Sequence, residues 1–220
     1  MKKLLLLLLC ALGGHYASAQ KMRDVFAQMP DTVLHLLSQN NRLDCIDFIE
    51  NNREAKVTNN MDGVTVLQKL TDDYLQLQLT PSMQVEIKLL HGADSVCYIA
   101  MNRTYAAPAK SSVLSFYTAD WQPLLQREMI QIPSIDDFWK EASVSTESQA
   151  SACLSSDSID LCKKNIDIPF VCASLSPTED VLTFRLDLSE LEKSDSASVR
   201  RYTHELPYRW DKDKFVRSDR

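Results

Sequence analysis

The chain has 220 residues, with 24 Lys or Arg against 30 Asp or Glu and a formal charge of −6. An acidic chain with no basic block is a poor match for nucleic-acid binding, where phosphate neutralisation dominates affinity. Only four glycines occur, and Gly13 and Gly14 fall at the start, which argues against a glycine-rich phosphate loop or a repeat solenoid.

Lys2 and Lys3 precede an unbroken leucine run, and Ala17, Ser18 and Ala19 stand before Gln20. A basic start, an apolar run too short for a bilayer and an Ala-x-Ala exit predict a signal peptide over residues 1–19, cleaved after Ala19. The rival reading is a lipoprotein leader acylated on Cys10, against which stands the bulk of Leu9. No later stretch approaches the ~20 apolar residues of a membrane helix, so no transmembrane segment is expected in the mature chain. The chain is therefore expected to be exported, to the periplasm first, with secretion or envelope association as alternatives. Losing Lys2 and Lys3 takes the formal charge from −6 to about −8.

Residues 21–53 read as three helical pieces. The first, 23–29, ends at Pro30. Asp31 is expected to cap a second piece carrying Val33, Leu34, Leu36 and Leu37. Asn41 is expected to cap a third, with Leu43, Ile46 and Ile49 on one side. A hairpin follows over 56–58 and 64–67, turning at Asp62 and Gly63. The clearest signal comes next. Residues 74–80 alternate apolar and polar, and 83–89 resume the alternation after Pro81; both predict strands with one buried face. Strands at 96–101 and 112–118 extend the series. Links this short hold no crossover helix, so the strands must be antiparallel.

Beyond the meander, residues 120–123 read as a turn, and Ser134 is expected to cap a helix with Asp136 and Asp137 in its first turn and Phe138 and Trp139 within it. Residues 143–158 are serine-rich and aperiodic, as in a loop or linker. Strands are predicted at 168–175, 180–188, 205–208 and 214–216, with a short helix over 188–199.

The fold class is α+β: N-terminal helices on an antiparallel meander over residues 20–130, then a smaller α+β part over 131–220. Leu79 and Pro81 in the first half match Leu175 and Pro177 in the second. They suggest a duplicated helix-plus-meander unit, similar to β-lactamase-inhibitor-like periplasmic proteins.

Four ordered segments, MRDVFAQMPD (22–31), NRLDCIDF (41–48), LTDDYL (70–75) and FYTADW (116–121), resemble an uncharacterised family of exported proteins from Bacteroidota, a domain of unknown function. The resemblance runs over essentially the whole mature chain. It implies export in a Gram-negative bacterium and supplies no catalytic residues.

Candidate chemistry is sparse. Of the six cysteines, Cys10 lies in the leader; Cys45 and Cys97 read as small buried hydrophobes, and Cys153 with Cys162 would close a short disulfide loop. No spacing suits zinc, and no metal or cofactor is expected. His35, His91 and His204 read as surface residues with no nucleophile beside them. The pairs Asp72/Asp73, Asp136/Asp137 and Asp211/Asp213 suit turns and caps, or else the two carboxylates of a glycoside hydrolase or a calcium site. Arg42, Asp44, Asp73 and Tyr74 begin elements and read as anchors for backbone groups. Trp121, Tyr117, Trp139, Tyr208 and Trp210 are either core residues or an aromatic surface for carbohydrate or peptide. The function these features favour is a non-enzymatic periplasmic binding or interaction module for an envelope protein, peptide or glycan. The alternative is an envelope hydrolase using Asp72 or Asp73.

Overall fold

The computed structural model describes residues 20–93, 96–140, 156–164 and 166–218. The expected leader, Cys153 and most of the serine-rich segment lie outside these residues.

Helices α1 (Met22–Gln28) and α2 (Gln39–Glu50) precede seven strands: β1 (Ala55–Thr58), β2 (Val64–Leu70), β3 (Tyr74–Thr80), β4 (Met83–His91), β5 (Cys97–Ala106), β6 (Lys110–Thr118) and β7 (Pro123–Leu124). They form one antiparallel sheet in sequence order. A short helix α3 (Gln126–Met129), a 3-10 turn (Ile135–Phe138) and α4 (Ser156–Lys164) lead to β8 (Phe170–Leu175) and β9 (Val181–Asp187). Helix α5 (Lys193–Tyr202) then intervenes before β10 (Leu206–Asp211) and β11 (Lys214–Arg217). The second sheet has four strands in the order β11-β10-β9-β8. Pro81 and Ser82 turn the β3–β4 hairpin, and the turn of the β8–β9 hairpin begins at Ser176 and Pro177.

The layers run helices, large sheet, small sheet. Leu75, Leu77, Leu79, Val85, Ile87, Leu89, Ile99 and Met101 project from one face of the large sheet and pack against Met22, Val25, Phe26, Leu34, Leu37 and Ile46. From the opposite face, Tyr74, Leu90, Ala100, Leu114 and Phe116 meet Ala173, Leu175, Leu182, Phe184, Leu206, Tyr208 and Phe215 of the small sheet. A third cluster joins Trp139, Ile159, Cys162, Leu188 and Val199.

The large sheet corrects one expectation. Alternation in 83–89 predicts a solvent face for Glu86 and Lys88, yet β4 is buried on both faces, with these two side chains only 7% and 1% exposed. The small sheet covers them, and bound partners make that covering tolerable, since a buried charge without partners is strongly disfavoured.

The second helical piece is also corrected. Residues 31–37 are a series of turns. The Leu37 carbonyl accepts from Arg42 Nη1 at 2.6 Å and the His35 carbonyl from Asn60 Nδ2 at 2.7 Å. The Leu36 carbonyl accepts from the Asn60 N–H at 2.9 Å and the Val33 carbonyl from Arg103 Nη2 at 3.0 Å. Donors from other parts of the chain thus take the carbonyls that a helix would use, and tertiary bonding overrides the local apolar pattern. The cap of α2 moves as well: Ser38 is the N-cap, and Asn41 closes a reciprocal capping box from N3. The element after Ser134 is a single 3-10 turn that ends before Trp139.

Arg42, only 1% exposed, holds this irregular layer. Besides Leu37 O, its guanidinium donates to Phe26 O at 3.1 Å and to Met29 O, and it meets Asp31 Oδ1 at 2.8 Å. Trp121 Nε1 adds a bond to Val25 O at 3.1 Å, fastening α1 to the end of β6. Arg42→Met should lower the unfolding free energy by about 3–5 kcal/mol, because it strands the buried Phe26, Met29 and Leu37 carbonyls. Arg42→Lys should restore less than half of that, since an ammonium cannot reproduce the planar fork. Urea midpoints check both; a wild-type midpoint for Arg42→Met would show that the carbonyls need no guanidinium.

Candidate functional site

The most chemically suggestive group in the sequence, the acidic and aromatic residues around Tyr74, gathers between the two sheets. Antiparallel register places Tyr74, Lys88, Ala100 and Phe116 in one row and Gln76, Glu86, Asn102 and Leu114 in the next. Strand β8 is the edge of the small sheet and lies over β4, β5 and β6. Its outward backbone groups are taken by side chains from those strands. Ala173 N–H donates to Ser112 Oγ at 2.9 Å, Ala173 O accepts from Asn102 Nδ2 at 2.7 Å, and Leu175 N–H donates to Glu86 Oε2 at 3.3 Å. Glu86 also accepts from Tyr74 Oη and Asn102 Nδ2, each at 2.9 Å. Burial, then the charge and hydrogen bond of Glu86, push the Tyr74 phenol well above its ordinary range and keep it a donor.

Lys88 fills the adjoining row. Its Nζ lies 2.6 Å from Asp73 Oδ2 and 3.7 Å from Asp180 Oδ1, bridging the start of β3 to the β8–β9 turn. Burial pushes the Asp73 carboxyl up, but the Lys88 and Thr71 hydrogen bonds and the Lys88 charge outweigh it and hold the group below the ordinary aspartate value. Asp72, by contrast, turns outward to Lys21 at 3.3 Å. The adjacent carboxylates thus diverge to separate partners, and this arrangement gives a hydrolase no facing pair. Asp136 and Asp137 diverge too, to Lys163 and Arg217.

The five aromatic candidates occupy three separate places. Tyr117 and Trp121 stack on the helix side, with centroids 5.4 Å apart. Tyr208 and Trp210 join Phe184, Phe215 and Tyr98 in the aromatic packing between the sheets. Trp139 lies in the third cluster under Lys163. Trp121, Trp139 and Tyr208 are buried, so the set makes no common surface, because packing these large rings claims most of their area. His35 and His91 are exposed on different elements, and His204 is half-buried before β10. Cys45, Cys97, Cys162 and Cys172 are thiols; the partner expected for Cys162 lies outside the described residues. Burial, with Asp44 nearby, pushes the Cys45 thiol up to about 12. Among the described residues no three His, Cys, Asp or Glu side chains converge as metal ligands, and no helix is long and apolar enough to cross a membrane.

A ligand-sized concavity lies elsewhere. Ile130 meets Phe215 in an isolated parallel bridge, and the pairing stops there. A cleft of about 570 Å³ opens between residues 127–133 and strand β11, within the ~300–1,000 Å³ range of ligand-sized sites. Tyr208 and Phe215 contribute buried walls; Ile132 and Val216 are 46% and 42% exposed at its margins. Arg127, Lys214 and Arg217 supply positive charge, Glu128 and Asp137 negative. Two hydrogen bonds from Ser134 and the pairing with Arg217 hold the Asp137 carboxyl below its ordinary value. The sequence reading missed this site because it is made by the meeting of two segments distant in the chain, neither of which carries a motif.

The family model described as "Protein of unknown function (DUF3256)" matches residues 15–215. The chain belongs to that family. No curated protein matches it. A solved structure, that of a domain of an uncharacterized protein from Porphyromonas gingivalis W83, is similar with a TM-score of 0.69 at 22% identity, over 92% of this chain and 100% of that one. At this identity the likeness speaks for the fold alone, and the DUF3256 family description assigns no activity to any residue of the cleft or of the inter-sheet network.

Two outcomes follow from the buried groups. Since the folded pKa of Asp73 lies below its unfolded value, its contribution to stability is present above about pH 4 and is lost as the pH falls through the folded value. Asp73→Asn should therefore destabilise the chain near neutral pH and flatten the acid limb of its stability curve; superposable curves for the two chains would refute the coupling to Lys88. Iodoacetamide at about pH 8 should leave Cys45 unmodified in the native chain and label it after unfolding, as peptide mass spectrometry would report.

Proposed function

We propose that this chain is an exported, non-catalytic interaction module of the cell envelope, which holds a protein or peptide partner in the cleft along β11. The observation that carries the reading is the make-up of that cleft: a ligand-sized slot with exposed aliphatic margins and a charged rim. The buried ionisable groups support it from the other side. Arg42, Glu86 and Lys88 are each engaged with backbone or counter-charge inside the fold, and a group so engaged is poorly placed to exchange protons with a substrate. Export rests on the basic start, the leucine run and the Ala-x-Ala exit of residues 1–19.

Each half has its own test. Residues 1–19 fused ahead of a leaderless alkaline phosphatase should direct phosphatase activity to the periplasm of a Gram-negative host, with cleavage after Ala19 in this chain's own precursor. An uncleaved cytoplasmic fusion would overturn export. A photocrosslinker at Val216 in cells should give a saturable adduct, displaced by excess untagged chain, whereas one at Met61 on the β1–β2 hairpin should not. Indistinguishable patterns from the two positions would overturn the assignment to the cleft.

A further inference from the structure

The cleft along β11 carries enough chemistry to specify its occupant. We propose that it takes a peptide segment rich in both acidic and aliphatic residues, the carboxylates lying against Arg127 and Lys214 and the aliphatic side chains against Ile132 and Val216. This rests on the interaction reading above and narrows it to one class of ligand.

The shape comes first. One wall is strand β11; the other runs from α3, which carries Arg127, through the Ile130–Phe215 bridge to Pro133. A slot of about 570 Å³ lying along a strand accommodates a few residues of a peptide. The second argument is apolar. Ile132 and Val216 are 46% and 42% exposed and both line the slot, so an occupant with aliphatic side chains buries area that is now wet. A small inorganic anion would leave both uncovered.

Charge decides the sign. The rim holds three cations, Arg127, Lys214 and Arg217, against Glu128 and Asp137. Asp137 and Arg217 are paired with each other at 2.8 Å. Arg127 and Lys214 enter no ion pair among the described residues, and they outnumber the remaining Glu128. A local cationic excess on a chain of net charge −6 stands out against its surroundings. It favours encounter with an acidic segment and discriminates against a basic one. Each wall carries one of these two cations and one exposed aliphatic side chain, so the occupant needs residues of both kinds.

The test uses the mature chain, residues 20–220, and two fluorescein-labelled synthetic peptides of equal length, one alternating Glu and Val and the other Lys and Val, titrated by anisotropy at low ionic strength. The Glu/Val peptide should bind saturably and the Lys/Val peptide at least about tenfold more weakly, with the gap closing as salt is added. Arg127→Glu combined with Lys214→Glu, at exposed positions that should leave the unfolding midpoint unchanged, should weaken the Glu/Val peptide about tenfold. Val216→Asn should weaken it severalfold without altering its salt dependence. No saturable signal up to about 1 mM peptide, equal affinity for the two peptides, or indifference to the double substitution would overturn the proposal. A cleft-specific crosslink from Val216 in cells alongside failure of the Glu/Val peptide would remove the acidic segment and leave the interaction reading standing. A crosslink between two copies of this chain would likewise overturn the peptide, and loss of both signals would remove both readings.

Discussion

Strand β8 has a sheet neighbour on one side only, and on the other its amide and carbonyl groups meet Ser112, Asn102 and Glu86. The junction of the two sheets depends on that contact. An edge strand with unpaired backbone groups normally invites another strand, whereas here three side chains rising from β6, β5 and β4 complete its hydrogen bonding. The arrangement fixes how β8 lies across the large sheet, because shifting it along its axis would strand Ala173 and Leu175 against the wrong side chains. Apolar contact between the sheets is the larger attraction but is tolerant of sliding; polar bonds in a low-dielectric gap are not. Lys88 adds a second pin where β9 begins, through Asp180. Asn102 Oδ1 at this junction has no partner among the described residues, nor has Trp139 Nε1 in the third cluster.

The helical layer uses the same device with the polarity reversed. In the gap between sheets, an acceptor and two donor-bearing side chains serve a strand edge; above the large sheet, Arg42 supplies donors to the carbonyls of an irregular loop. Asn59 does this on a smaller scale at the β1–β2 turn. Its Oδ1 accepts from Met61 and Gly63 N–H while its Nδ2 reaches Leu79 O at 3.3 Å. A Cβ on Gly63 would stand 3.1 Å from that amide, so the turn and its brace are built to fit together. In each case irregular or edge backbone is buried at the cost of a buried polar side chain, and the exchange is favourable only while every bond is kept.

How far the sequence disclosed this depends on which bonds are local. The meander was readable because period-two alternation and short links are local facts: residues 74–80 and 83–89 predict strands, and Pro81 marks their turn. The small sheet was readable for the same reason, from its β8–β9 and β10–β11 hairpins. The burial of Glu86 and Lys88 was not, since alternation reports which residues share a face and not what covers that face. A layer arriving about 90 residues later turned an apparent solvent face into an interior. Residues 31–37 misled in the opposite direction, because Val33, Leu34, Leu36 and Leu37 have a helical spacing whose carbonyls are claimed by Arg42, Asn60 and Arg103. Arg42 did read as an anchor of backbone groups, and the structure gives it backbone carbonyls as partners, whereas the Asp73 carboxylate takes the side chains of Lys88 and Thr71. The cleft left no local trace at all, as Ile130 and Phe215 are far apart in the chain and are brought together only by tertiary packing.

That dependence bears on what the fold is suited to do. The interior polar residues are so fully engaged that altering one of them has consequences for stability first, and a site built from them would have to give up the bonds that join the layers. Arg127, Lys214, Ile132 and Val216 are under no such obligation. Lys214 and Val216 sit on β11, at an edge of the small sheet, and Arg127 and Ile132 on the segment facing it, where a single bridge between Ile130 and Phe215 is followed by an opening. The double sheet keeps its buried polar groups in the bonds that join its layers and leaves these four side chains along the cleft exposed. Because those side chains take no part in the hydrogen bonds between layers, their charge and shape can vary at small cost to stability, and the cleft is where chains of a common fold can differ most freely.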